Sequence, residues 1–203
     1  MSAPMTRSWK IVFSVFLAAI AALASWVIYH ETRTPQNETE VLKRMIELGR
    51  EGRYDKAVQV VQRWMDDSRR DVTRDEILYE QIAFVYIGKA RKRPGTRDES
   101  VHLAELNLEK ALDLFEKEKH TDLALELFEI GGAYELLGDN SDKEKCQLYE
   151  KARELFVRQL PLIKGDSYTA YGHTTPLEPL RGEVRKHLNA VSDKSSKDGC
   201  QVH

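Results

Sequence analysis

From Glu38 to about residue 157, apolar residues return at intervals of three and four, which lays them along one face of successive α-helices. The phrase "LEKALDL" (Leu108 to Leu114) comes back nearly unchanged as "YEKAREL" (Tyr149 to Leu155), so the helices carry an internal repeat. Upstream, "TRTPQNETE" (Thr32 to Glu40) interrupts the pattern with Pro35 and Asn37 and reads as a polar linker. Downstream, "LPLIKGDSYTAYGHTTPLEP" (Leu160 to Pro179) is rich in turn residues. After it, Leu180, Val184, Leu188 and Val191 mark one more amphipathic helix over Leu177 to Val191. The last stretch, "SDKSSKDGCQVH" (Ser192 to His203), reads as a disordered tail.

Three helix pairs fit the repeat. The third places Leu127, Ile130, Gly131 and Tyr134 on its first helix, Gly138 at the turn, and Tyr149 and Ala152 on its second helix. The second carries Tyr79, Ile82, Ala83 and Tyr86, then, after a long turn, Ala104, Leu108 and Ala111. The first carries Val41, Arg44, Met45 and Leu48, then Gly52-x-Tyr54-x-x-Ala57 and Val61. Small residues at Ala57, Ala83, Ala104, Ala111, Gly131 and Ala152 let paired helices approach closely, while Tyr86, Tyr134 and Tyr149 fill the space between pairs.

In these residues the chain resembles the tetratricopeptide repeat family, over roughly residues 38 to 157. The resemblance implies an all-α, right-handed superhelical solenoid of about three helix pairs, residues 41–157. Residues 158–191 would then supply a loop and a capping helix. Three departures stand out: Arg44 and Lys145 occupy positions that want small or apolar residues, and Tyr86 to Tyr134 exceeds the family period of about 34 residues. Either turns or helices must be extended. A plain helical bundle whose core mimics the pattern is the competing architecture.

The family lines a concave groove with its first helices. Carried onto this chain, the groove positions are Leu42 and Ile46, then Ile77, Phe84 and Ile87, then Leu125, Phe128 and Leu136. An apolar groove of this kind takes an apolar segment of a protein partner. Two other outcomes compete: residues 160 to 191 fill the groove, or the counting has placed core residues there. The cationic clamp with which some family members hold a C-terminal carboxylate is missing, since Leu42, Ile46, Gln81, Leu125 and Glu129 stand in its place.

Residues 1–10 precede "IVFSVFLAAIAALASWVI" (Ile11 to Ile28), a charge-free run at the lower length limit for a membrane-crossing helix. With Trp9, Trp26 and Tyr29 at its ends, residues 11–29 read as a signal anchor in the bilayer, joined to the repeats by linker 30–40. Ala22-Leu23-Ala24 offers a signal-peptidase site as the alternative, although the apolar run continues past it. Arg7 and Lys10 before the span, against Arg33 after it, favour a cytoplasmic N-terminus and an extracytoplasmic repeat domain, weakened by Lys43 and Arg44. In a eukaryotic secretory membrane, Asn37-Glu38-Thr39 would be a formal glycosylation sequon.

Composition narrows the field further. The 203 residues include 11 glycines and 6 prolines, too few for a loop-rich or all-β fold, and a net charge of -2 gives no pull toward nucleic acid. The basic run "KARKRPGTR" (Lys89 to Arg97) lacks aromatic interleaving and reads as a solvated loop. Two cysteines, Cys146 and Cys200, are too few for a disulfide framework and leave the redox compartment open. Glu99-x-x-His102 is half of a di-metal ligand set without its second copy, and His120, His173, His187 and His203 have no metal-binding context. Cys200-Gln201-Val202-His203 is a poor match to a prenylation box. Neither enzyme chemistry nor a metal or cofactor is expected.

The reading is a single-pass membrane scaffold that docks a protein partner. Its layout is similar to that of bacterial inner-membrane tetratricopeptide proteins that assist translocon-associated chaperoning or envelope assembly. A structural subunit of a larger membrane complex, with a self-filled groove, is the alternative.

Overall fold

A computed structural model describes residues 20–23, 25, 35, 37–67, 74–118, 123–163, 167–170 and 173–200. The chain divides into two compact units, Met1–Gln36 and Asn37–His203. In the first unit, residues 20–23 and 25 are helical, with Ile20 and Leu23 exposed. The expected span from Ile11 to Ile28 otherwise lies outside the described residues. Among the described residues, no helix is long and apolar enough to cross a membrane.

The second unit holds seven described helices: α1 (Glu38–Arg50), α2 (Tyr54–Met65), α3 (Asp75–Lys92), α4 (Arg97–Glu118), α5 (Leu123–Asn140), α6 (Lys145–Gln159) and α7 (Glu178–Lys197). A short antiparallel hairpin, β1 (Ser167–Ala170) against β2 (His173–Pro176), pairs Ser167 with Pro176 within the stretch expected to be a loop. Helices α1 with α2, α3 with α4, and α5 with α6 form intimate pairs. Each second helix also packs on the next pair's first helix, and α3 touches both α1 and α5. The arrangement is all-helical apart from the hairpin, and repeat-like.

Local sequence explains the ends of these helices. Asn37 caps α1, its side-chain oxygen accepting from the Glu40 backbone N–H at 2.9 Å. At the other end Gly52 takes φ +73°, a conformation that favours glycine, and lets Arg53 N–H reach the Leu48 carbonyl at 2.9 Å. This is the turn that the Gly52-x-Tyr54 signature predicts. The basic run, in contrast, is no long loop. Lys89 to Lys92 complete α3, only Arg93 and the 3-10 turn Pro94–Thr96 intervene, and Arg97 opens α4. The stretched repeat is thus taken up by long helices, 18 residues in α3 and 22 in α4.

Two apolar cores result. The N-terminal one joins Val41, Met45 and Leu48 of α1 to Val58, Val61 and Trp64 of α2 and to Leu78, Ile82 and Val85 of α3. The larger one runs from Ala83, Ile87 and Ala90 of α3 through α4, α5 and α6 to Val184 and Val191 of α7. Glycines set the spacing of α5 on α6. A Cβ on Gly131 would stand 2.8 Å from the Phe156 ring, and one on Gly138 would stand 2.4 Å from the Tyr149 ring. Gly138 therefore lies within α5 as a contact glycine, and the turn expected there falls after Asn140.

The segment expected to be disordered from Ser192 instead continues α7 to Lys197. Gly199 at φ +71° ends the helix, and Cys200 N–H folds back to the Ser195 carbonyl at 2.9 Å. That reversal sets Cys200 against the start of α6, where it forms a disulfide with Cys146. Local glycine geometry and the cross-link order a polar stretch that its composition alone leaves open.

The two contact glycines and their neighbour Gly132, which has open space around its Cβ position, give an internally controlled test. Gly138→Ala should lower stability by about 1–3 kcal/mol through overpacking, whereas Gly132→Ala should raise it by about 0.5–1 kcal/mol through helix propensity. Urea unfolding followed by circular dichroism separates the two, and equal effects would contradict the packing account.

Candidate functional site

The eight expected groove residues meet three different fates. Ile87 is buried in the larger core and is withdrawn as a groove residue. Ile77, Phe84 and Phe128 pack against that core from its edge, and Leu42 does the same on the N-terminal core. Only Ile46, Leu125 and Leu136 of the eight are well exposed. The physical reason is that α3 is buried on two sides, so residues counted as facing a groove in fact face a neighbouring helix.

Helix α7 covers the third pair. His187 stands edge-on to Phe128 at 5.3 Å between centroids and lies 5.4 Å from Phe156. Its Nδ1 is 2.6 Å from Glu135 Oε2 of α5, a carboxylate that is itself buried. Lys194 donates to Glu135 at 2.8 Å and to Asp139 at 2.7 Å, and Tyr149 donates to Asp139 at 2.8 Å. Burial opposes the Lys194 charge, but its hydrogen bonds to Asp139 and Glu135 raise its pKa above the ordinary lysine value. Polar and aromatic contacts thus orient the closing helix that burial of Val184 and Val191 seats.

The basic run is also engaged within the fold. Lys89, nearly buried, donates to Asp55 at 2.6 Å. Arg93 donates to the Gly52 carbonyl at 2.8 Å and lies 5.4 Å over the Tyr54 ring, while Arg97 pairs with Asp142. Lys89 and Arg93 staple the end of α3 to the α1–α2 turn, and Arg97 ties the start of α4 to the α5–α6 turn. A cleft of about 390 Å³ opens between α2, α3 and α4, lined in part by Met65, Tyr79, Tyr86, Leu106 and Lys110. None of the eight expected groove residues lines it.

Sequence reasoning passed over an acidic cluster where α3 meets α5. Carboxylate oxygens of Glu80, Glu126 and Glu129 lie within 4.8 Å of one another. Glu80 and Glu126 are buried and Glu129 is exposed. Glu126 and Glu129 share one face of α5 by their three-residue spacing, and Arg74 stands 3.7 Å from Glu126 and 3.2 Å from Glu76. The signal available was a pair of carboxylates three residues apart in the otherwise apolar N-terminal half of α5. By contrast, Glu99 and His102, the metal-like pair noted in the sequence, are both exposed on α4 and have no place in it.

Burial, and after it the charges of Glu129 and Glu126, push the Glu80 pKa up from 4.5 to about 8, partly offset by Arg74. No family model, no curated protein and no solved structure matches the chain.

Between 4.5 and about 8 the folded chain keeps a proton on Glu80 that the unfolded chain releases. This group's contribution to stability is therefore fully present in acid and is lost as pH rises toward 8. Glu80→Gln should leave stability nearly unchanged at about pH 5 and raise it at about pH 8. Parallel denaturant curves at the two pH values test this, and a substitution that destabilises equally at both would refute it.

Proposed function

We propose that this chain is a membrane-anchored scaffold of the tetratricopeptide type, with its repeat domain on the extracytoplasmic side and a protein partner docked on the exposed face of its first helices. The observation that carries the compartment is the Cys146–Cys200 disulfide, because such bonds persist in oxidising compartments and are rare in reducing ones. It agrees with the excess of basic residues before the apolar N-terminal run. That run supplies the anchor in this reading. Docking is supported by Ile46 of α1 and Leu125 of α5, which stay open to solvent at 43% and 42% on helices whose other apolar residues are mostly buried.

The cover that α7 places over Phe128 supports a second reading for the third pair. There the chain fills its own groove, as a permanent structural subunit of a larger complex would. The proposal accordingly assigns recognition to α1 and to the exposed start of α5, with envelope protein assembly or translocon-associated chaperoning as the setting.

Two measurements bear on this. A membrane-permeant thiol label, applied to intact cells without reductant, should leave both cysteines unmodified and should reach both after reduction. Labelling before reduction would move the domain to a reducing compartment. Crosslinked, detergent-solubilised membranes should yield a partner with the parent chain that is lost with the Ile46→Glu, Leu125→Glu double variant. Both positions are exposed, so the fold should survive the change. A partner retained by the variant places the interface elsewhere and favours the structural-subunit reading.

A further inference from the structure

The acidic cluster between α3 and α5 has the chemistry of a cation site. All of its candidate ligands are carboxylate oxygens, which suit hard cations and do not favour zinc or copper. The oxygens lie within 4.8 Å of one another. Two ligands on one Ca²⁺ ion, each about 2.3–2.6 Å away, stand at most about 5 Å apart, while Mg²⁺ at about 2.0–2.1 Å draws them to roughly 4 Å. A limit of 4.8 Å lets one hard cation touch all three carboxylates, and Ca²⁺ accepts the irregular coordination of such a site more readily than Mg²⁺ does.

A second observation comes from Glu80 itself. Its side chain is 1% exposed, and its Oε1 is buried with no hydrogen-bond partner. A buried carboxyl oxygen with no donor is costly; the same carboxyl is hydrogen-bonded to Glu129, and the other groups that act on it are Glu126 and, with opposite sign, Arg74.

We propose that Glu80, Glu126 and Glu129 bind a divalent cation of the calcium type. Glu80 and Glu126 provide the inner side of the site. Exposed Glu129 provides the entry, with water filling the remaining positions. Arg74 at 3.7 Å from Glu126 competes for that carboxylate, so the affinity falls with the weak sites of extracellular modules, about 10⁻⁴ to 10⁻³ M. Binding ties the second helix pair to the third.

The test is a calorimetric titration of the full chain in detergent with CaCl2 and with MgCl2, beside thermal unfolding in chelator or in millimolar salt. Calcium should bind with a millimolar or tighter constant and raise the Tm by several degrees, magnesium less. Glu129→Gln, an exposed change that leaves the core intact, should weaken calcium binding by about tenfold or more as a lost ligand. Glu80→Gln should do the same. No heat and no Tm shift at millimolar calcium would overturn the site, as would a calcium response that survives both substitutions.

Discussion

A pair of helices cannot bury its own apolar surface, and the whole domain follows from that constraint. An internal helix must be apolar on two sides. Helix α3 meets the requirement by sending Leu78, Ile82 and Val85 into one core and Ala83, Ile87 and Ala90 into the other. It has little solvated face left, so Glu76, Glu80 and Lys89 are buried along with its apolar residues. The staple to Asp55 and the acidic cluster are both consequences of making one helix serve two neighbours.

The same constraint operates at the stack's far end, where α6 would present Phe156 and Leu155 to water. Helix α7 closes it with Val184 and Val191, both fully buried. Burial outweighs charge in holding the stack. Each fully buried residue such as Phe115, Phe156 or Leu137 is worth about 1.5–3 kcal/mol. The ion pairs linking α4 to α6, Lys151 with Glu105 and Glu109 and Arg158 with Glu116, are partly exposed and contribute at most about 1 kcal/mol each. Their role is to set how the two helices align.

Helix content, the pairing and the positions of the small residues were legible in the sequence because periodicity reports burial directly. Leu127, Ile130, Gly131, Tyr134, Tyr149 and Ala152 all lie in the core where the third register puts them. The groove was less legible. Periodicity distinguishes one face from its opposite, but on α3 both are buried, so counting from a family register put core residue Ile87 on a surface. The acidic cluster escaped for a related reason: Glu80 is distant in sequence from Glu126 and Glu129, and only the packing of α3 on α5 brings them together. Likewise Cys146 and Cys200 show no motif spacing. Their pairing depends on a glycine reversal after α7 that no local pattern of apolar residues announces.

That pairing has a consequence for the order of events during biogenesis. Cys146 lies in the first turn of α6 and Cys200 follows α7, so the bond can close only once α7 has been made and has docked. A chain halted earlier carries Cys146 as a free thiol beside an uncovered apolar face. The cross-link is in this sense a receipt: a covalent mark, readable from outside, that the last helix has been delivered.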